Sequence, residues 1–229
     1  MNNNSKKYII ELENVHVSLK SNVETVNILK GINLKILKGN SISIIGERGA
    51  GKSTLAMTIA GLELISKGKI FFKGVAIHDL EEDELANYRS KNVGIIFQSF
   101  NLLPSMTALE NVNLPNQISG VLIDDKKGTE LLKSVGLKKR LNHYPHQLSG
   151  GEQQRVAIAR SLISSPEIII ADEPTGNLDK RNSEEVMKLI FKLQSDFAST
   201  LILVTHDETI AKQCNKIIKL DNGLIVKDE

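Results

Sequence analysis

A glycine-rich segment between a strand-like and a helix-like segment limits the possible folds of this chain more than any other part of its sequence. A mostly apolar run at 41–45, predicted as a short buried strand, precedes it, and a helical pattern at 52–60 follows it. The segment matches the pattern G-x-x-x-x-G-K-[ST], in which glycines let backbone amides curl around phosphate oxygens. An ordinary glycine-rich turn is the alternative, but the flanking strand and helix favour a phosphate-binding loop. The segment consists of Gly46, Glu47, Arg48, Gly49, Ala50, Gly51, Lys52, Ser53 and Thr54.

This loop predicts a site for a nucleoside triphosphate and Mg²⁺. Lys52 would reach the β- and γ-phosphates, and the Ser53 hydroxyl would bind the metal. A second apolar run, at 168–171, leads to Asp172 and Glu173. Because open α/β sheets bind ligands at the carboxyl ends of their strands, Asp172 is predicted to hold Mg²⁺ and Glu173 to polarise the attacking water. Taken alone, such an Asp-Glu pair is more often a helix-capping turn.

Two more strand-like segments end in groups suited to the same site. The run at 93–97 leads to Gln98, and the run at 201–204 leads to His206. A glutamine can hydrogen-bond both water and the metal's ligands, and a histidine can contact a γ-phosphate. Each of them, taken singly, is more often a solvated loop residue. If the strands are parallel, these groups lie along one edge of the sheet together with the glycine loop and the acidic pair.

A second candidate phosphate-binding element follows about a hundred residues after the first. Ser149, Gly150, Gly151 and Glu152 open a helical pattern, so a hydroxyl and free amides stand together at a helix start. A nucleotide deep in the glycine loop would be hard to reach for this segment of the same chain. Two copies related head-to-tail by a twofold axis would bring each loop against the partner's glycine pair. Read alone, the segment is a Gly-Gly turn before a helix.

Strands alternating with helices indicate an α/β fold with a mostly parallel sheet covered on both faces. Beyond the runs named above, strands are predicted at 8–12, 26–29, 32–37 and 70–72, helices at 81–89, 129–135, 152–163 and 183–194, and a hairpin with an Asn-Gly turn at 217–226. Prolines and helical patterns after residue 97 predict an inserted helical lobe. We predict one domain over 1–229, with a core and β subdomain at about 8–97 and 160–229 and a helical subdomain at about 98–159.

Composition argues against several kinds of partner. The net charge is only +2 and aromatic residues make up 4%, so neither a basic footprint nor a base-stacking surface is predicted, and no nucleic-acid partner is expected. The first seven residues are polar, and the apolar runs are strand-sized. A membrane-spanning helix needs roughly 20 apolar residues. We therefore predict a cytoplasmic location.

Taken together, these residues resemble the ATP-binding subunits of ABC transporters, and the resemblance covers nearly the whole chain. It is carried by similarity to the family's signature motif at 148–153, Walker A at 46–54, Walker B at 168–172 and D-loop at 177–179. The resemblance implies a P-loop NTPase (RecA-like) core with an N-terminal antiparallel β subdomain and an inserted helical subdomain. It also implies ATP and Mg²⁺ as cofactors, and a homodimer that two ATP molecules close and hydrolysis opens.

The resemblance also implies a role for each site residue. Catalysis would involve Glu173 as the catalytic carboxylate, His206 as the switch histidine and Gln98 as the Q-loop glutamine. The Mg²⁺ ligands would be Ser53, Gln98 and Asp172. ATP would contact all nine residues of the glycine loop, Leu19 and Val26, and, from the partner protomer, Ser149, Gly150, Gly151 and Glu152.

The sequence departs from the family pattern in two places. Leu19 stands where an aromatic ring usually stacks on adenine, with Val26 as a second contact. Because base–aromatic stacking contributes about 1–3 kcal/mol, weaker nucleotide affinity or base selectivity is predicted. Glu47 and Arg48 replace the small residues expected inside the loop. Since backbone amides bind the phosphates there, a mild effect is predicted.

Segments 97–104, 107–112 and 171–179 are most similar to one bacterial branch, which contains lipoprotein-releasing, macrolide- and peptide-export and cell-division ATPases. This predicts an ATPase at the inner face of the membrane, driving export, efflux or lipoprotein release through permease subunits on separate chains. Their docking surface is predicted at 100–112, where simple lobe core is an equal alternative. The alternative functions are a mechanical signalling or regulatory subunit of the cell-division type, and an ATPase acting on DNA or ribosomes.

Overall fold

The computed structural model describes residues 7–20, 24–121 and 124–228. Most of the polar N-terminal stretch used above to predict location lies outside these ranges. The chain forms two compact units, one from residues 1–89 and 200–229 and the other from residues 90–199. The predicted helical subdomain falls within the second unit, and its boundaries stay a prediction.

The chain begins with three strands, and strands and helices are interspersed along the rest of it. The strands are β1 Tyr8–Lys20, β2 Thr25–Leu37, β3 Ser41–Ile45, β4 Lys67–Phe72, β5 Val75–Ala76, β6 Val93–Phe97, β7 Ile168–Asp172, β8 Thr200–Val204, β9 Lys216–Asp221 and β10 Leu224–Asp228. The helices are α1 Lys52–Ile59, α2 Glu82–Asn92, α3 Ala108–Ile118, α4 Asp125–Ser134, α5 Gly150–Ser161, α6 Lys180–Asp196 and α7 Glu208–Ala211, and a short 3-10 turn spans Pro145–Gln147.

In the first unit, an antiparallel sheet has the strand order β2-β1-β4-β5. The prediction of two separate strands at 26–29 and 32–37 is wrong, because β2 is one continuous strand of 13 residues. Gly31 lies inside it at φ +87, opposite irregularities in the register of β1. A glycine at positive φ in a strand marks a bulge, which bends the strand without ending it.

The first unit also holds a parallel core. β3 lies between β8 and β9 and pairs in parallel with both. Burial on both faces accounts for the apolar run of β8 and for the burial of nearly all of β3, including Ser41 and Ser43. The predicted hairpin is confirmed as β9 and β10, which pair antiparallel. Its two turn residues, Asn222 and Gly223, both have positive φ, as a two-residue type I′ turn requires.

In the second unit, β6 and β7 pair in parallel, as predicted for the runs at 93–97 and 168–171. Helix α5 packs against β6 at a point where a side chain has no room. A Cβ on Gly94 would lie 2.1 Å from the backbone oxygen of Ser161. Ser161 is the last residue of α5, so this contact is at the end of the helix. The first turns of α5 lie at the other end of β6, where Gln154 Nε2 donates to the Phe97 oxygen at 3.4 Å. Within the described ranges, no helix has both the length and the apolar character that crossing a membrane requires.

Cys214 gives a test of packing in the first unit. Burial raises the pKa of its thiol from 9.0 to about 11, although hydrogen bonding with Ser41 and Ser43 acts in the opposite direction. The thiolate is the reactive form, so we expect iodoacetamide at pH 8 to modify the folded protein roughly a hundredfold more slowly than a free cysteine peptide. The urea-unfolded chain is the control and should react at the peptide rate. Rapid labelling of the folded protein would show that the Cys214 thiol is not buried.

Candidate nucleotide-binding site

The glycine loop of the first unit follows β3 and leads into α1. Gly46, Gly49 and Gly51 have φ values of +149, +85 and +98. Two of these glycines also pack closely against other residues of the same unit. A Cβ on Gly46 would be 2.2 Å from the Leu220 oxygen, and one on Gly51 would be 3.0 Å from Leu29 Cδ2. The backbone conformation therefore depends on glycine for both its dihedral angles and its space.

The Lys52 side chain lies folded back into this loop. It is only 8% exposed, and its ammonium group donates hydrogen bonds to the carbonyl oxygens of Gly46 at 3.0 Å and Glu47 at 2.9 Å. A buried cation enclosed by a glycine loop at a helix start fits the β- and γ-phosphates of a nucleotide. Ser53, Glu47 and Arg48 have exposed positions. The predicted mild effect of the last two stays a prediction.

The β9–β10 hairpin supports the glycine loop. This contact was not predicted from the sequence. The Gly223 amide donates to the Ala50 oxygen at 3.1 Å, and the Lys30 amide donates to the Gly223 oxygen at 2.9 Å. The Lys30 ammonium group also donates to Asn222 Oδ1 at 2.8 Å. The Asn-Gly pair signalled a turn, but no local signal named β2 and the loop as its partners.

Leu19 and Val26 are brought together by the pairing of β1 with β2. They are directly opposite each other across the two strands. Their exposed fractions are 50% and 48%, whereas most of the other apolar residues of β1 and β2 are buried. Two adjoining apolar side chains thus form a small surface that could cover the flat face of a base.

His206 follows β8, the parallel neighbour of β3. Ile44 and Val204 are partners in that pairing, so the glycine loop and His206 both follow carboxyl ends of adjacent strands. The Thr205 side chain is buried and accepts a hydrogen bond from the Asp207 amide at 3.0 Å. This turn leaves His206 in an exposed position.

In the second unit, Gln98, Asp172 and Glu173 come together in the same way. Phe97 and Asp172 are partners in the β6–β7 pairing, so Gln98 and Glu173 each follow a paired residue. The expected shared edge is thus confirmed within each unit, and a single edge for all four groups stays a prediction. Glu173 has φ +45, an uncommon backbone conformation for a residue other than glycine. Such conformations cluster at functional sites, where the surrounding structure imposes them.

Gln98 is linked to the predicted D-loop by two hydrogen bonds between side-chain amides and neighbouring groups. Its Nε2 donates to Asn177 Oδ1 at 3.4 Å, and Asn177 Nδ2 donates to the Gln98 backbone oxygen at 3.1 Å. A Cβ on Gly176 would lie 2.4 Å from Gln98 Nε2, so the side chain packs directly on that glycine. The structure thus joins Gln98 to residues that the sequence analysis treated as a separate motif.

The signature segment forms the start of α5, which begins at Gly150 and so two residues before the predicted helix. Ser149 is the N-cap: its hydroxyl accepts from the Glu152 amide at 3.3 Å, and Glu152 Oε2 accepts from the Ser149 amide at 2.9 Å. A Cβ on Gly151 would lie 2.7 Å from Asn182 Oδ1. The Asn182 amide is in turn hydrogen-bonded to Asp179 Oδ1 at 3.0 Å, so α5 and the D-loop pack closely.

Gln154 is a positioning residue that the sequence analysis missed. Its side chain is fully buried in α5, and Nε2 donates to the Pro174 oxygen at 2.6 Å and the Phe97 oxygen at 3.4 Å. It therefore ties the signature helix both to the residue after Glu173 and to the residue before Gln98. A polar residue among apolar ones on the inward face of a helix was the available signal.

The predicted site residues thus form two chemically consistent groups, one in each unit. The sequence matches the family described as "ABC transporter" over residues 29–176, well over half of its length.

The chain belongs to the ABC transporter family.

Relatives agree with this ABC transporter assignment. The lipoprotein-releasing system ATP-binding protein LolD of Bacteroides fragilis is 43% identical over 220 residues, which cover 95% of this chain and 100% of LolD. The macrolide export ATP-binding/permease protein MacB of Bdellovibrio bacteriovorus is 45% identical over 221 residues, which cover 96% of this chain and 34% of MacB. Both names fall in the bacterial branch that the sequence predicted, and that prediction is confirmed.

A solved structure gives the same result for the fold of this ABC ATPase. The dimeric ATP-binding cassette MJ0796 of Methanocaldococcus jannaschii, in a post-hydrolysis state bound to ADP and Pi, matches with a TM-score of 0.88 at 40% identity. The match covers 96% of this chain and 97% of that one. The P-loop NTPase fold is confirmed, and the chain is an ATP-binding, ATP-hydrolysing subunit of an ABC transporter.

Proposed function

We propose that this ATPase acts as a homodimer in which the glycine loop of one protomer and the signature turn of the other hold the same ATP. The observation that carries the proposal is the presence of two phosphate-binding elements in one chain: the loop closed around Lys52, and the capped turn at Ser149 with its exposed position. The dimeric cassette MJ0796, bound to ADP and Pi, supports it by similarity.

Each site residue has a role in this proposal. Amides of residues 46–54 and the Lys52 ammonium bind the phosphates, and Leu19 with Val26 packs on adenine. The oxygens of Ser53, Asp172 and Gln98 suit Mg²⁺, a hard cation that prefers oxygen ligands. When bound, Mg²⁺ neutralises charge on the β- and γ-phosphates.

Glu173 accepts a hydrogen bond from the attacking water, orients it and acts as its general base. His206 contacts the γ-phosphate. The backbone of Glu173 is left-handed, and the Gly176 amide donates a hydrogen bond to the Glu173 backbone oxygen at 3.0 Å. This turn fixes the direction in which the Glu173 side chain leaves the backbone. Glu173 is therefore proposed as the residue on which the rate of hydrolysis depends most strongly.

The motion of the dimer is proposed to pass to separate integral membrane subunits through residues 100–112, with the ATPase bound peripherally at the inner membrane face. The segment begins with Phe100 and Asn101, both at positive φ, and the Arg160 guanidinium donates to both their carbonyl oxygens. Beside it is a cavity of about 260 Å³, lined in part by Phe97 and Pro115. The names of LolD and MacB support lipoprotein release or export as the work performed.

A bulky residue at the signature turn tests the dimer. We expect Ser149→Phe to abolish ATP-dependent dimerisation, measured by light scattering, and to lower turnover at least about a hundredfold, the scale on which one preorganised donor acts. The phenyl ring would occupy the space of a phosphate, while the P-loop of the same protomer is unchanged. ATP binding to the monomer should therefore persist in equilibrium dialysis.

Loss of the N-cap needs a control, because Ser149 also caps α5. Asp124 caps α4 in the same unit by accepting from the Lys126 and Lys127 amides. Asp124→Ala removes a comparable cap, costing about 1 kcal/mol, without changing the signature turn. It should keep dimerisation and turnover. A Ser149→Phe protein that dimerises with ATP and turns over at the wild-type rate would refute the shared site.

A further inference from the structure

A carboxylate stands in the signature turn, where an anionic ligand is proposed to bind. Glu152 lies directly after the glycine pair and closes the capping box, with Oε2 accepting from the Ser149 amide at 2.9 Å. Its side chain is 18% exposed. Hydrogen bonds from Arg140 and then from the Ser149 amide hold the pKa of Glu152 below its usual 4.5, so it is ionised at neutral pH. A lone negative charge here would repel a triphosphate.

Arg140 supplies the opposite charge. Its Nε donates to Glu152 Oε1 at 2.9 Å, so the two oxygens of one carboxylate bind the Arg140 side chain and the Ser149 amide at the same time. The guanidinium group also contacts a histidine side chain, from Nη1 to His143 Nε2 at 3.3 Å. The pair thereby couples a loop outside the signature motif to the serine that begins it.

That loop is held firmly by two helices. Leu137 is buried, and its amide donates to the Leu132 oxygen at the end of α4 at 2.7 Å. At the start of α3, the Ala108 amide donates to the His143 oxygen at 2.8 Å and the Leu109 amide to the Leu141 oxygen at 3.0 Å. Backbone hydrogen bonds therefore fix the residues on both sides of Arg140, and the loop holds the backbone of Arg140 close to Glu152.

We propose that Arg140 is a positioning residue for ATP binding at the signature turn, because it neutralises Glu152 while leaving that carboxylate to cap α5. The inference rests on the shared ATP site proposed above. Arg140 acts through Glu152 on the Ser149 turn and makes no contact of its own with the nucleotide. A carboxylate makes a stronger cap than a neutral amide, since charge-assisted hydrogen bonds are shorter and stronger. Its charge is compatible with a triphosphate only while the guanidinium balances it.

The test is a double-mutant cycle that separates charge from architecture. Arg140→Met keeps most of the aliphatic stem and removes the charge, and Glu152→Gln keeps an oxygen for the Ser149 amide without a charge. Dimerisation is measured against the concentration of the non-hydrolysable analogue AMP-PNP in the presence of Mg²⁺. We expect Arg140→Met to raise the half-saturating concentration roughly tenfold. In the Glu152→Gln background, adding Arg140→Met should change that concentration by less than about twofold, and the double variant should dimerise at a lower concentration than Arg140→Met.

Rescue by the second substitution is the decisive result, because a merely structural role of Arg140 in its loop would not be repaired by changing Glu152. Arg140→Lys should fall between wild type and Arg140→Met. A wild-type response of Arg140→Met, or a double variant as weak as Arg140→Met, would overturn the inference. If Ser149→Phe abolishes dimerisation while Arg140→Met has no effect, only this inference fails; if Ser149→Phe also has no effect, the shared site itself fails.

Discussion

Replacing Glu173 with glutamine is expected to lower ATP turnover by roughly 10²- to 10⁴-fold, the range over which a general base contributes, while an ATP-bound dimer accumulates. The amide keeps the size and shape of the carboxylate but does not accept a proton. Nucleotide binding depends on the glycine loop and the signature turn, which the substitution leaves unchanged. The protein therefore accumulates as the ATP-bound dimer, which hydrolysis would normally open.

Phosphate release and light scattering on the same sample measure both effects. Glu184→Gln is the matched control, since it removes one carboxylate from an exposed position on α6 in the same unit. It should turn over and dimerise like wild type. A Glu173→Gln protein that stays monomeric with ATP and hydrolyses it normally would show that another residue orients the water.

Replacing Lys52 with alanine is expected to weaken ATP binding by roughly 10²- to 10⁴-fold and to remove measurable turnover at millimolar ATP or below. A hydrogen bond to a charged group contributes about 1.5–3 kcal/mol, and the ammonium is proposed to make such bonds to two phosphates. The same group now donates to the oxygens of Gly46 and Glu47, so its loss also loosens the loop before nucleotide arrives. Equilibrium dialysis and phosphate release measure the two outcomes.

Lys67→Ala is the control for net charge. Lys67 is at an exposed position on β4 of the same unit, and its loss changes the charge of the chain by the same amount. Its ATP affinity should equal that of wild type. Lys52→Ala should still be folded without urea and should unfold in one cooperative urea transition, so that weaker binding is not a consequence of unfolding. Wild-type affinity in Lys52→Ala would contradict the role given to this side chain.

Much of the candidate site could be predicted from the sequence, because each motif is a short run of contiguous residues. A glycine loop after a buried strand and before a helix fixes its own amides, and Asp172 with Glu173 follows a strand that can only be central. The strand at 41–45 and the strand at 93–97 were predicted with the bounds that the structure shows. The family assignment followed from the same local patterns.

Only the tertiary structure decided how these motifs are supported. Lys30 and Asn222 are 192 residues apart, yet their hydrogen bond helps hold the glycine loop. Gln154, the pairing of Leu19 with Val26, and the ion pair of Arg140 with Glu152 likewise depend on chain segments that meet only after folding. Local sequence determines which backbone groups can form a phosphate cradle. Long-range packing determines which side chains hold that cradle in place, because the residues around one partner do not specify which residue, far along the chain, contacts it after folding.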